Sequence, residues 1–226
     1  FDKKPEASVH KLSQVCYVGI NDDHIHTINE TEGAGKAPKK MFNSLCDKHG
    51  KTEADIKAEI TENYENEHDK PPPAIALTMW KKKAPKIVLY AHNGGYDLRF
   101  MQKYLWNFTL IQNGNSLICG TATYLNGKKW LQLEFRDTYK LISKKLDAFG
   151  EMFNLPFDKE YMPYHLFNYK NVFNNDAQML LGNVMKEIPK KKVIKFLECC
   201  KLSNSIYKEK GIEMFDMMKY SEFYCK

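Results

Sequence analysis

His92-Asn93-Gly94-Gly95-Tyr96-Asp97 sets an imidazole, an amide, a phenol and a carboxylate around a pair of glycines. The carboxylate could ligate a divalent cation, and the phenol offers a π-face on which an unpaired base can stack. The elements that would hold these groups are readable on either side. Ile87 to Tyr90 is a short apolar run, rich in β-branched and aromatic residues and preceded by Pro85, which predicts a buried strand. Gly94-Gly95 lets the backbone turn sharply, and beyond Asp97 the residues Phe100, Met101, Tyr104 and Leu105 recur at helical spacing. Strand, turn and helix therefore gather His92, Asn93, Tyr96 and Asp97 at one strand end, where ligands bind in open α/β sheets. A plainer reading also accounts for Asp97, because an aspartate that opens a helix caps it and complements its dipole without any chemistry.

A second stretch follows the first. Trp130 to Leu141 reads as an alternating strand that ends in the polar pair Asp137-Thr138, followed by Tyr139. Leu146 to Pro156 then reads as a short amphipathic helix closed by Asn154 and Pro156. Lys159-Glu160-Tyr161-Met162-Pro163-Tyr164 comes next. Together these residues resemble family B DNA polymerases, specifically the protein-primed branch found in viruses, linear plasmids and self-synthesising mobile elements. The second exonuclease motif of that family runs apolar-x-apolar-Tyr/Phe-x-His-Asn-x-Gly-x-Tyr/Phe-Asp-x-x-Phe. A strand ending Asp-Ser/Thr, a helix ending Phe-x-Leu and a Lys-x-x-x-Pro-Tyr pattern follow it in the same order.

The resemblance implies an α/β chain with a ribonuclease H-like exonuclease fold and a 3′–5′ proofreading activity in DNA replication. Two Mg2+ or Mn2+ ions, about 4 Å apart, would hydrolyse the phosphodiester in the complete domain. Asp97 would bind metal and Tyr224 would orient the attacking water. His92 and Asn93 would hold the primer terminus, Tyr96 would stack on its base, Thr138 and Tyr139 would continue the single-strand cleft, and Lys159 would face a phosphate. Ordinary alternatives stand beside these roles. Tyr96 and Tyr139 also suit a core, Thr138 a strand-end hydroxyl and Lys159 a solvated surface.

A complete domain of this family carries Asp-x-Glu on its first strand and Tyr-x-x-x-Asp on a late helix. Asp2 with Lys4 is not an acidic pair, and Met214 to Lys226 reads as the helix leading into the last motif, with Tyr224 as its tyrosine. Asp22-Asp23 reads as a hairpin turn between strand-like runs. Residues 1–226 therefore read as the interior of an exonuclease domain, lacking its first strand and final carboxylate, and are expected to hydrolyse DNA poorly or not at all. The expected partners are single-stranded DNA at a primer terminus and, for the parent polymerase, a terminal priming protein. Two other readings stay open: a catalytically silent nuclease-like module that binds single-stranded DNA, and a structural module in which Asp97 only caps a helix.

Composition fits this class. The 226 residues, 43% hydrophobic, can bury the core of one α/β domain. No apolar run approaches the roughly 18 residues of a membrane span and no secretory pattern opens the chain, which predicts an intracellular protein of unspecified compartment. The cysteines at 16, 46, 119, 199, 200 and 225 form no Cys-x-x-Cys set, so reduced thiols are expected and zinc is not. A net charge of +6, with lysine clusters at 81–83 and 190–192, suits a polyanionic partner. Residues 31–73 read as a helical and loop insertion at the surface, with a helix from Thr52 to Glu67 stopped by Pro71-Pro72-Pro73. Met179 to Gly182, Lys192 to Leu202 and Ile206-Tyr207 read as helices with apolar faces.

Overall fold

A computed structural model describes residues 14–19, 25–29, 36–113, 116–154, 160–168, 170–175 and 177–224. Its elements run β1 (Gln14–Tyr17), β2 (His26–Asn29), α1 (Ala37–His49), β3 (Lys51–Thr52), α2 (Glu53–His68), α3 (Ala74–Thr78), β4 (Lys86–Ala91), α4 (Gly95–Met101), β5 (Trp106–Asn113), β6 (Ser116–Asn126) and β7 (Lys129–Asp137). They continue with α5 (Phe149–Met152), β8 (Gln178–Leu180), α6 (Leu181–Glu187), α7 (Val193–Ser203), β9 (Ile206–Glu209), β10 (Ile212–Asp216) and α8 (Met217–Tyr224). The chain divides into a central unit, Pro38–Leu146, and a second unit formed by Phe1–Ala37 with Asp147–Lys226.

The central unit is built around β7. Leu131, Leu133, Phe135 and Asp137 are buried while the residues between them are more accessible, the two-residue period of a strand with one face in a core. On one side β6 and then β5 pair antiparallel; on the other, β4 runs parallel along Gln132 to Asp137, and β3 pairs antiparallel at Lys129-Trp130. Helix α1 packs its apolar stripe on the sheet: the Phe42 ring lies 5.2 Å from that of Tyr124, whose hydroxyl donates to Asn43 Oδ1 at 2.6 Å. The Cys46 thiol donates to the Lys129 carbonyl at 3.3 Å, and burial raises its pKa. Ile56, Ile60, Trp80 and Ala84 gather with Trp130 in a second cluster, where the two indole rings meet edge to face at 5.1 Å.

Within the stretch read as a surface insertion, one face of α1 belongs to the core, while α2 buries Ile56 alone and is otherwise accessible. Ala37, Met41, Phe42, Leu45 and Cys46 are all buried, an i, i+4, i+5 stripe that the intervening lysines disguise. Residues 31–35 of that segment lie outside the described residues. The helix that follows begins as expected, with Thr52 and Asp55 forming a reciprocal capping box.

The second unit has a core of Leu166, Val184, Phe196, Phe215 and Tyr220 among others, beneath the antiparallel sheet β8-β10-β9. The predicted helix at Ile206-Tyr207 and the helical start at Met214 are both replaced by strands. Lys210 and Gly211 take φ of 48° and 82°, the left-handed pair that lets a two-residue loop close a twisted hairpin. Met179 likewise lies in β8, and the helix begins at Leu181. Cys199 and Cys200 on α7 are buried; the Cys199 thiol donates to Glu160 at 2.9 Å, and burial pushes the Cys200 thiol up to about 12. Hairpin β1-β2 bonds to α8, with Asn29 donating to Glu222 at 2.5 Å and Ser221 to Gln14. Asp22-Asp23, which would turn this hairpin, lies outside the described residues. Among the described residues no helix is long and apolar enough to cross a membrane.

Candidate functional site

Strands β4 and β7 end together, because their parallel register sets Ala91 opposite Asp137. Immediately past Ala91 the chain reverses through His92, Asn93 and Gly94. Asn93 takes a left-handed φ of 59°, a region that asparagine tolerates better than most residues, and its side chain stays exposed. Gly94 closes the turn onto the strand; a Cβ there would meet the Ala91 Cβ at 2.6 Å. The Leu98 amide donates to the Gly94 carbonyl at 3.0 Å, and buried Leu98 anchors α4 beneath the exposed Tyr96 and Asp97.

Asp137 ties the two strand ends. Its Oδ1 accepts the Asn93 amide at 2.7 Å and the Tyr139 amide at 2.9 Å. It is 5% exposed, and among the described residues the buried polar side chains are Asp137, Ser205 and Ser221, of which Asp137 alone carries a charge. Burying a carboxylate is costly unless donors replace its water, and two backbone N–H groups do so here.

His92 is held from both ring nitrogens. Nε2 lies 2.7 Å from the Lys144 carbonyl, which can only accept, so in the neutral ring Nε2 carries the proton, and Nδ1 lies 3.1 Å from the Thr138 hydroxyl, whose one proton also has the Ala91 carbonyl as an acceptor at 3.3 Å. Tyr139 meets the His92 ring edge to face at 5.4 Å. Tyr96 makes a similar contact with Phe100 at 5.2 Å and leaves 54% of itself exposed. Asp97 reaches solvent from the first turn of α4, yet the protein mass packed around its carboxyl raises its pKa above the ordinary carboxylate range.

His92, Asn93, Tyr96, Asp97, Thr138 and Tyr139 thus share one end of the central sheet. Tyr224 belongs to the second unit, as the last residue of α8, where its hydroxyl lies 3.0 Å from that of Tyr164. Lys159 lies outside the described residues. Residue types alone make Asp137 a mere polar strand end and miss its part in the site. The signal that could have found it is parity, since it follows Leu131, Leu133 and Phe135 on the buried face.

Among the described residues no group of three or more His, Cys, Asp or Glu side chains is arranged to hold a metal ion. Asp97 offers one carboxylate, and the Oδ1 of Asp137 is taken by two backbone amides. The described residues alone therefore do not form a two-metal centre.

A family model for DNA polymerase type B, organellar and viral, matches residues 78–226. The chain belongs to this family of polymerases. No curated protein and no solved structure matches it. The part shared with the type B polymerases opens just ahead of β4 and takes in the strand-end cluster, Tyr164 and α8. It places the chain in the setting of DNA replication, with DNA as the substrate of the family's enzymes.

Proposed function

We propose that this chain is the proofreading part of a protein-primed type B polymerase, a ribonuclease H-like exonuclease domain whose strand-end cluster grips the frayed 3′ end of a primer. The observation that carries this reading is the grouping of Asn93, Tyr96, Asp97, Thr138 and Tyr139 where parallel β4 and β7 end, inside the polymerase-matched region. Exposed Tyr96 supplies a stacking surface for an unpaired base, the Asn93 amide can bond phosphate or sugar oxygens, and a net charge of +6 favours a polyanion. His92 braces Thr138 and the loop at Lys144 beside these groups.

Asp97 is the carboxylate this chain would contribute to a divalent cation site. Burial around its carboxyl raises its pKa, and a bound cation would favour the charged form. Among the described residues no group of three or more His, Cys, Asp or Glu side chains gathers around it. Tyr224, bonded to Tyr164, is the hydroxyl proposed to orient water, and Lys159 the cation proposed to face a phosphate. A priming protein as partner belongs to the same proposal.

The test uses the polymerase expressed from its full reading frame. Removal of a mismatched primer terminus should require Mg2+ and fall by more than about 100-fold in Asp97→Ala, above the range produced by loss of a metal's outer-shell partner. Extension of a matched primer should survive. A second reading, a silent module that binds single-stranded DNA, draws on the lack of a metal cluster among the described residues. It predicts tight oligonucleotide binding and no digestion by either protein.

A further inference from the structure

Glycine occupies positions 94 and 95, yet the left-handed φ of the turn falls on Asn93, while Gly94 sits at −73°. Asparagine tolerates that region better than most residues, and here its own backbone amide is bonded across to the neighbouring strand end. Asp137 Oδ1 accepts the amide of Asn93 itself and, from the other strand end, the amide of Tyr139.

We propose that Asp137 is the positioning residue of the strand-end cluster: its buried carboxylate sets the Asn93 turn and the Thr138-Tyr139 turn at once, and so fixes the geometry in which a single DNA strand is held. The proposal rests on the proofreading reading and deepens it. Holding the Asn93 amide fixes the backbone torsion that aims the exposed Asn93 side chain. It also fixes the approach to α4, whose first turn carries Tyr96 and Asp97. Holding the Tyr139 amide fixes Thr138, which meets His92 Nδ1 at 3.1 Å, and Tyr139, whose ring meets His92. No group on the strand needs to touch Asp137. A charged acceptor shared by two backbone donors is stronger than a neutral one, which suits a joint that keeps two turns in register.

The experiment measures 3′–5′ digestion of a single-stranded oligonucleotide by the polymerase from its full reading frame, with extension of a matched primer followed in the same preparation. Asp137→Ala should raise the KM for digestion about 10-fold with kcat less affected and extension unchanged. Asp137→Asn keeps an acceptor oxygen in place and should return KM to within about twofold of the parent. If the alanine variant does not fold, Asp137→Glu carries the test, because it keeps the charge but displaces the acceptor and should also raise KM. A merely structural role would lower the active fraction, so kcat and extension would fall together with KM unmoved, and that result overturns the proposal. Digestion that survives Asp97→Ala would overturn the proofreading reading itself. Digestion lost in Asp97→Ala with KM unmoved in the folded Asp137 variants would overturn the role of Asp137 alone.

Discussion

The strand-end cluster of the central unit and the aromatic core of the second unit use similar residue types to opposite ends. In the second unit Phe196, Phe215 and Tyr220 stack on one another with centroids 5.4 to 5.5 Å apart, and the Tyr220 hydroxyl donates to the Tyr161 carbonyl at 2.5 Å. All of their polar and apolar surface is spent on the fold. At the end of β4 and β7, by contrast, Tyr96 rests one edge on Phe100 and turns the rest outward, Asn93 sits at a left-handed φ with its side chain exposed, and Asp97 is exposed with no hydrogen bond or ion pair to its carboxylate among the described residues. A core gains from removing every exposed group. A binding surface gives up some stability to keep groups available.

The comparison is broken most severely by Phe196→Ala. This deletion from a fully buried aromatic cluster should cost about 3–5 kcal/mol of folding stability in a denaturant titration. A loss under about 1 kcal/mol would mean that the second unit is not the rigid partner in this contrast.

Tyr96→Ala should behave in the reverse manner. Folding stability should move by less than about 0.5 kcal/mol, while affinity for a single-stranded oligonucleotide, read by fluorescence anisotropy, should drop by about 1–3 kcal/mol. Equal losses in both would make Tyr96 a packing residue.

The smallest effect sharpens the contrast through Asp97. Its folded pKa lies above its unfolded value, so the folded chain holds the proton more tightly. The cost of this group to folding is therefore absent below the ordinary carboxylate range and develops as pH rises through the folded value. Asp97→Asn should stabilise the fold slightly at neutral pH, by about 0.5 kcal/mol or less given its solvent exposure, as read in a denaturant titration. The gain should vanish near about pH 3, where both proteins are uncharged at this position. A destabilised Asp97→Asn at neutral pH would show that the carboxylate acts as a helix cap.

The sequence foretold the elements whose signals are local. Pro85, the run Ile87 to Tyr90 and the glycine pair fix β4 and its turn, although the strand expected to be buried is only half-buried at Ile87 to Leu89 and exposed at Tyr90, and Thr52 with Asp55 fixes the start of α2. It failed where tertiary pairing decides. Ile206 to Phe215 carries no Asn-Gly turn, only Lys210-Gly211, and the strand pairing of β9 with β10 overrode a helical reading. Lys39, Lys40 and Lys48 made α1 look solvated, although its other face is among the most buried in the chain. Of the candidate site, the residues proposed to meet DNA at the ends of β4 and β7 were singled out by their types. Asp137 was not, because what it does depends on two backbone amides brought to it by the parallel register of β4 and β7.

Each unit also carries its own timekeeper. Cys46 is sealed between α1 and β7, and Cys199 with Cys200 lies in the core beneath β8-β10-β9. Burial raises their thiol pKa values, so alkylation in the native state must wait for an opening event that exposes them. Labelling rates at position 46 and at the 199–200 pair therefore report the opening of the two units separately, in one sample and without denaturant. Added oligonucleotide would slow the clock at Cys46 if the strand-end cluster is where it binds.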